Sequence, residues 1–311
     1  MKNKKFKILL YHGVTNQIKK KGIENFSGKH ISKLTFLKQM KFLKKNYNII
    51  SIKDLEKFKK QKFIPKNSVL ITFDDGFENN YKVAFPILKK LKIPAVFYIS
   101  TGLIGKKKLF WVDQIEDLIN RSNKKQINLK LKYKKKYSIK TPNQKIKVIT
   151  EIKRFCKMVS SLKKDRIIEK LKKETNLKPS SNSSQNYKLM NWQQVKAIDS
   201  EDLFEIGGHS TDHNILSKLP KKKMKSDIKN SINILEKKLK RKIKHYSYPE
   251  GQYSDYNKQI KSYLKFLGIK FCPSAVNGIA NIDDDNFEFK RIMVGINKKK
   301  FPFRNFDNEN F

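Results

Sequence analysis

Acidic side chains are scarce in this chain. Against 71 Lys and Arg stand only 28 Asp and Glu, giving a formal net charge of +43 over 311 residues. Such an excess ordinarily raises nucleic acid or an anionic membrane as a partner. Here the cations are spread along the whole length among many Asn and Ile, and no nucleic-acid module accompanies them, so nucleic-acid binding is set aside. An anionic substrate, or peripheral contact with an anionic membrane that bears it, stays open. Cysteine is nearly absent as well: Cys156 and Cys272 are too few and too isolated for a disulfide framework and lack the CxxC spacing of a zinc site. Both are expected to be reduced packing residues. Long apolar runs are missing, since no stretch approaches the ~20 residues that a membrane span needs. The basic opening Met1-Lys2-Asn3-Lys4-Lys5-Phe6-Lys7 leads only into the short apolar run 8–11, without the core and cleavage site of a signal peptide. A cytoplasmic chain, membrane-associated at most, is the expectation.

What is present begins with Asp74-Asp75-Gly76, placed at the end of the apolar run Val69-Leu70-Ile71-Thr72-Phe73. A β-rich run that delivers two carboxylates into a Gly turn has the form of a strand ending at an active-site rim. Far downstream lies His209-x-x-x-His213, two of only five histidines. Carboxylates together with imidazoles suggest a hydrolytic metal site, because zinc and similar ions accept both donors and a catalytic site keeps positions open for water and substrate. Taken alone, Asp-Asp-Gly is most often a solvated turn and His-x-x-x-His an ordinary exposed pair. Gly207-Gly208 before the first His argues for a loop leaving a strand.

Short β-rich runs at 7–11, 49–52, 69–73, 95–100, 204–206, 245–248, 270–274 and 291–296 alternate with helix-period segments, which argues for a parallel α/β barrel. Pro220 can open a helix on which Met224, Ile228, Ile232, Leu235 and Leu239 share one face. Barrels reach ~250 residues as one domain, so one barrel plus an insertion accounts for the length. The chain divides into 1–110, the first part of the barrel; 111–190, a helical insertion; 191–297, the second part; and 298–311, a tail. Helical pattern in the insertion covers 112–119, 146–158 and 166–175, and 130–140 is Lys-rich. Its polar exit, 179–186, is expected to be a mobile loop.

Three segments together resemble the polysaccharide deacetylase family, also called the NodB-homology or carbohydrate esterase 4 group. Thr72-Phe73-Asp74-Asp75-Gly76 is similar to its first motif, His209-Ser210-Thr211-Asp212-His213 to its second, and Tyr248-Pro249-Glu250-Gly251 to its third. The likeness covers roughly 5–110 and 190–296. Leu9-Leu10-Tyr11-His12-Gly13-Val14 is similar to the opening of the branch that includes poly-N-acetylglucosamine deacetylases. The resemblance implies an irregular (β/α) barrel of about seven strands. It implies one divalent metal, zinc first and cobalt or nickel as alternatives, held by Asp75, His209 and His213. It makes Asp74 the general base and His12 the general acid, and gives the backbone N–H of Glu250, aimed by Pro249, to the oxyanion.

Two departures stand out. Many relatives carry an aromatic residue where Glu250 stands. Many also place an Arg two residues before the motif-three proline, where this chain has Ser247. Pro249 and Tyr248 are expected on the substrate side, with Arg291 in reach of substrate or of an active-site acid. Trp111 and Asp113 are candidates to stack on a sugar and accept its hydroxyls; Trp111 and Trp192 can equally anchor the insertion. His30 and His245 are taken as structural, and Tyr246 as an ordinary strand residue. The implied activity is removal of an N-acetyl group from a sugar, on a polysaccharide or a nucleotide- or lipid-linked precursor of a surface glycan. Two other readings remain: hydrolysis of a different non-peptide C–N bond, such as a cyclic imide or ureide, and a non-catalytic barrel that binds anionic glycan.

Overall fold

The computed structural model describes residues 3–17, 21–132, 134–296 and 301. The first half runs β1 (Lys5–Tyr11), β2 (Gly13–Thr15), β3 (His30–Ser32), α1 (Lys33–Asn46), β4 (Asn48–Ile49), α2 (Ile52–Gln61), β5 (Ser68–Phe73), α3 (Phe85–Leu91) and β6 (Ala95–Ile99). Next come α4 (Trp111–Arg121), the hairpin β7 (Gln126–Lys130) and β8 (Lys134–Ser138), α5 (Pro142–Met158) and α6 (Ser161–Thr175). The remainder is α7 (Trp192–Asp199), β9 (Phe204–Gly208), α8 (Lys221–Leu239), α9 (Lys258–Phe266), β10 (Ala280–Asn281) and β11 (Ile292–Met293).

The architecture is α/β, on a mixed seven-stranded sheet ordered β10-β1-β5-β6-β9, with β11 also against β1 and β4 against β5. Only the β1–β10 pairing is antiparallel within it. Side chains alternate between the two faces with the period of two that a pleated strand imposes. Leu9, Tyr11, Val69, Ile71, Phe73, Phe97 and Ile99 enter one core beneath the helices. Phe6, Ile8, Leu70, Val96 and Tyr98 enter the other. Strand β5 is buried at every residue, as expected of a central parallel strand.

Helix starts follow local chemistry. Ser51 with Asp54, Thr141 with Gln144 and Asn191 with Gln194 form capping boxes on α2, α5 and α7, satisfying backbone N–H groups that have no partner inside the helix. Helix α8 opens after Pro220 and buries Met224, Ile228, Ile232 and Leu235, the expected face. The three helices expected between 111 and 190 are present as α4, α5 and α6, packed around a cluster of their own that includes Ile115, Ile149 and Leu171.

Several expectations need correction. The runs 245–248 and 270–274 form only isolated bridges, Gly208 to Tyr246 and His245 to Phe271. The Lys-rich 130–140 piece belongs to the antiparallel β7–β8 hairpin, anchored by buried Ile127, Leu129 and Tyr137. The exit 179–186 is tied down: Asp117 accepts from Ser180 N at 2.9 Å and Ser183 Oγ at 2.6 Å, and Glu24 accepts from Asn186 Nδ2 at 2.9 Å. Buried carboxylates order a polar run whose composition alone suggests mobility. The expected tail, 298–311, lies outside the described residues except for Phe301. Among the described residues no helix is long and apolar enough to cross a membrane.

Candidate metal and hydrolytic centre

The carboxyl ends of β1, β5, β6 and β9 lie side by side. Asp74 N donates to Tyr11 O at 3.0 Å, His209 N to Ile99 O at 3.0 Å, and Ser100 N to Asp75 O at 3.3 Å. Residues just past these ends therefore gather at one rim, where a parallel sheet places its functional groups. His12 follows β1, Asp74 and Asp75 follow β5, and His209 follows β9. Gly207 and Gly208 are the last residues of β9, and 209–213 leaves that strand as a loop, as expected; a Cβ on Gly208 would come 2.6 Å from Tyr246 Cδ2.

Backbone strain is concentrated here. Among the described residues, ten non-glycine residues have positive φ. Lys62, Lys92, Asn176 and Lys240 are left-handed helix caps, and Asn25 and Asn67 are a type that tolerates the region. The other four are Asp75 (81°), Ser210 (63°), His213 (54°) and Glu250 (62°), all in the motif segments. Each such conformation costs of order 1–3 kcal/mol and persists where the surroundings over-determine it, as at functional sites.

Asp75, His209 and His213 converge, with one ligand-type atom of each lying within 4.8 Å of the others. Asp75 Oδ1 is 3.5 Å from His209 Nε2 and 3.1 Å from His213 Nε2, and all three side chains are buried. His209 Nδ1 lies 2.8 Å from Ser247 O, so the proton belongs on Nδ1 and the Nε2 lone pair faces the carboxylate. Asp75 Oδ1 is buried without a hydrogen-bond partner. Lone pairs meeting in a buried space repel unless a cation or a proton joins them. This donor set fits a divalent ion bound through two imidazoles and one carboxylate. Burial pushes the Asp75 pKa up, but the neighbouring imidazoles, His213 first, then His209 and His12, outweigh it and hold the carboxyl well below its usual range.

Asp74 occupies a different environment. Arg291 grips it with both terminal nitrogens, Oδ1 and Oδ2 each accepting at 2.8 Å. Arg291 is fully buried, and its remaining contacts reach Ser274 O at 2.6 Å, Thr72 Oγ1 at 3.2 Å and Ser247 Oγ at 2.8 Å. Its guanidinium lies 5.8 Å from the centre of the Tyr98 ring. Burial pushes the Asp74 pKa up, but Arg291, then His209 and His12, outweigh it, so the net shift is downward. Arg291 thus faces the acid, the second of the two placements expected of it, and not substrate. Its Nη2 donates to Ser247, the residue that stands two before Pro249.

His12 lies within electrostatic reach of both carboxylates, and its buried Nδ1 has no hydrogen-bond partner. Burial lowers its pKa, and Asp75 and Asp74 only partly offset this. Glu250 sits in the left-handed turn after Pro249, its carboxylate 2.5 Å from Lys157 Nζ.

Four expected substrate contacts are placed otherwise. Tyr248 is buried, stacks on Tyr256 with ring centres 4.3 Å apart and donates to Phe287 O. Trp111 is 4% exposed inside the α4–α6 cluster, so it anchors that segment and offers no open ring face. Asp113 is buried and turned to Lys29, with Nζ–Oδ1 2.5 Å. Pro249 is also buried.

Lys29 and Lys157 escaped the sequence reading, since nothing distinguishes them among so many cations. Lys29 Nζ lies 4.6 Å from the centre of the Phe77 ring and stays charged, because Asp113 and Asp75 outweigh the effect of burial. His30 is buried with Nδ1 2.9 Å from Asn79 Nδ2, a structural placement.

The family model of polysaccharide deacetylase matches residues 62–153 and 166–272, more than half of the chain. The chain belongs to the polysaccharide deacetylase family. Within that family, a poly-β-1,6-N-acetyl-D-glucosamine N-deacetylase of Staphylococcus aureus strain MSSA476 is 41% identical over 96 residues, 30% of this chain and 32% of the relative. A Staphylococcus epidermidis protein of the same name is 37% identical over 86 residues, 27% of this chain and 29% of its own. The matches thus span about a third of these relatives. Two solved structures share the fold over nearly the whole chain. The Streptococcus pyogenes deacetylase PplD in complex with acetate has a TM-score of 0.60 at 18% identity, covering 94% of this chain and 93% of that one. IcaB from Ammonifex degensii has a TM-score of 0.59 at 18% identity with the same coverage.

Proposed function

We propose that this chain is a metal-dependent hydrolase that removes an N-acetyl group from a sugar in the making of a surface glycan. The observation that carries the reading is the convergence of three lone-pair donors on a buried point, beside a second carboxylate held ionised by Arg291. Zinc is the ion assigned to Asp75, His209 and His213, and cobalt or nickel suit the same donors. Such an ion supplies Lewis acidity and makes water acidic enough to attack near neutral pH.

The protein's own groups do the rest. Asp74, aimed by Arg291 and Ser247, accepts a proton from the attacking water. The Glu250 N–H, aimed by Pro249 and the left-handed turn, donates to the oxyanion that forms from the acetyl carbonyl. His12 protonates the leaving nitrogen. Burial lowers its pKa, and the proton it delivers is the one Asp74 took from the water, so that both groups return to their starting state.

The sheet itself is proposed to be an irregular (β/α) barrel. Parallel bridges from Gly208 to Tyr246, His245 to Phe271 and Asn277 to Arg291 extend from the β9 edge towards β11, which pairs with β1. Residues 111–190 are proposed to be an inserted subdomain, supported by the separate apolar cluster of α4–α6.

Acetate release from N-acetylglucosamine oligomers, nucleotide-linked and lipid-linked N-acetylsugars, and amides without sugar tests the reading. Wild type is expected to turn over at least one sugar, and Asp74→Asn to lose about 100-fold or more, the scale of general-base catalysis. Turnover of sugar-free amides alone, or an unimpaired Asp74→Asn, contradicts it.

A further inference from the structure

Glu250 carries a half-buried carboxylate for whose side chain the chemistry above has no use. It is negatively charged: burial pushes its pKa up, but Lys157 and then His213 outweigh that, while Asp75 opposes them. Its charge is therefore felt at two of the metal-site residues. Yet its oxygens are not part of the converging set, which comprises Asp75, His209 and His213 among the described residues. What holds it aside is Lys157, in the last turn of α5, whose Nζ lies 2.5 Å from Oε2.

The pair joins two unrelated parts of the chain. Helix α5 starts from the Thr141–Gln144 capping box with Pro142 in its first turn, and packs by Val148, Ile149, Ile152 and Cys156. That packing fixes where Lys157 reaches. Glu250 is fixed from the other side, by a φ of 62° and by Gly251 at 66°, whose N donates to Pro249 O at 2.7 Å. The Lys157 side chain is 45% exposed and that of Glu250 16%, so the pair sits at the open edge of the centre.

A carboxylate oxygen is a good ligand for the ion assigned here, and catalysis needs coordination positions left for water and substrate. An aspartate and two histidines leave such positions open. A glutamate in the loop beside the centre, whose charge acts on His213 and is opposed by Asp75, is a candidate extra ligand for one of them if released from its cation. Resting on the metal-hydrolase reading, we propose that Lys157 is a positioning residue that keeps the Glu250 carboxylate off the metal, so that the inserted helix α5 maintains the open coordination position. The lysine touches neither the ion nor the reacting atoms; it acts through Glu250.

The signature is an opposition between two readouts that a merely structural lysine would move together. Lys157→Met is expected to bind zinc several-fold more tightly in a competitive chelator titration, while acetate release falls about tenfold or more, the scale of changes in groups that orient a metal site. Lys157→Arg should stay near wild type in both. In Lys157→Met/Glu250→Gln the carboxylate is gone, and the zinc affinity should return towards wild type. Weaker zinc binding in Lys157→Met, unchanged values in both readouts, or no return of the zinc affinity in the double variant overturns the proposal. If the wild type releases no acetate from any substrate, the deacetylase reading fails, and the zinc titration alone still decides the position of Glu250.

Discussion

At the scale of single residues, the two adjacent aspartates are made unequal by their neighbours. Asp74 faces a buried guanidinium and Asp75 faces two imidazoles, so one is held in orientation and the other is left with an open lone pair. The identities of these acids and of His209 and His213 were legible in the sequence through the resemblance of their segments to the family's first two motifs; taken alone, neither pair singles itself out. Arg291 was legible only as a residue in reach of substrate or of an active-site acid; 217 positions separate it from Asp74, and no local pattern chooses between the two. A second buried histidine gives a pH test away from the centre. Burial, helped by Lys270, Arg241 and Lys244, lowers the His245 pKa from 6.5 to about 3, although the Glu56 carboxylate lies 3.5 Å from its Nε2. Between those values the unfolded chain binds a proton that the folded chain does not, so this residue's contribution to stability is lost as pH falls from 6.5 towards 3. Urea midpoints measured from pH 7 to pH 4 should therefore decline, with a slope from His245 of at most about 1.4 kcal/mol per pH unit. His245→Gln should flatten that decline; an identical slope in the variant contradicts the assignment.

At the scale of elements, the apolar runs that became β1, β5, β6 and β9 were legible because each is buried on both faces or nearly so. The runs at 245–248 and 270–274 are equally β-rich yet make only single bridges, since their hydrogen bonds are divided among loops: Tyr246 N donates to Phe271 O and Cys272 N to Asn286 O. Hairpin β7–β8 was hidden by its lysines. The Gly pair at the end of β9 was noticed, but its cause lies in packing. At Gly208 a Cβ would meet the Tyr246 ring, whose hydroxyl accepts from Ser210 N at 2.7 Å. Gly208→Ala should thus shift that ring and cost about 1–3 kcal/mol, the usual cost of overpacking. The urea midpoint should fall and zinc binding weaken, because His209 is the next residue. A variant with the wild-type midpoint and affinity would show that the close approach is not tight.

At the scale of the whole molecule, the sheet supplies a rim and the 111–190 segment builds one side of the site through α4 and α5. Lys29–Asp113 and Lys157–Glu250 both tie that segment to the loops around the centre. The segment's helices were legible, and Trp111 and Asp113 were expected as sugar contacts, but the ion pairs that tie the segment to the loops were not legible, because pairs across the fold leave no local pattern in a chain so rich in cations. The overall charge of +43 says little about the reaction; the chemistry lies in a few buried acids and imidazoles. The central claim is that these groups cleave an N-acetyl amide with a bound divalent ion. Its most direct test is acetate release from N-acetylglucosamine oligomers by protein stripped with chelator and then titrated with zinc. Activity should be absent after stripping and rise to a plateau at one zinc per chain, with no recovery in His213→Ala. Full acetate release from the stripped protein, or equal recovery in His213→Ala, would contradict the account.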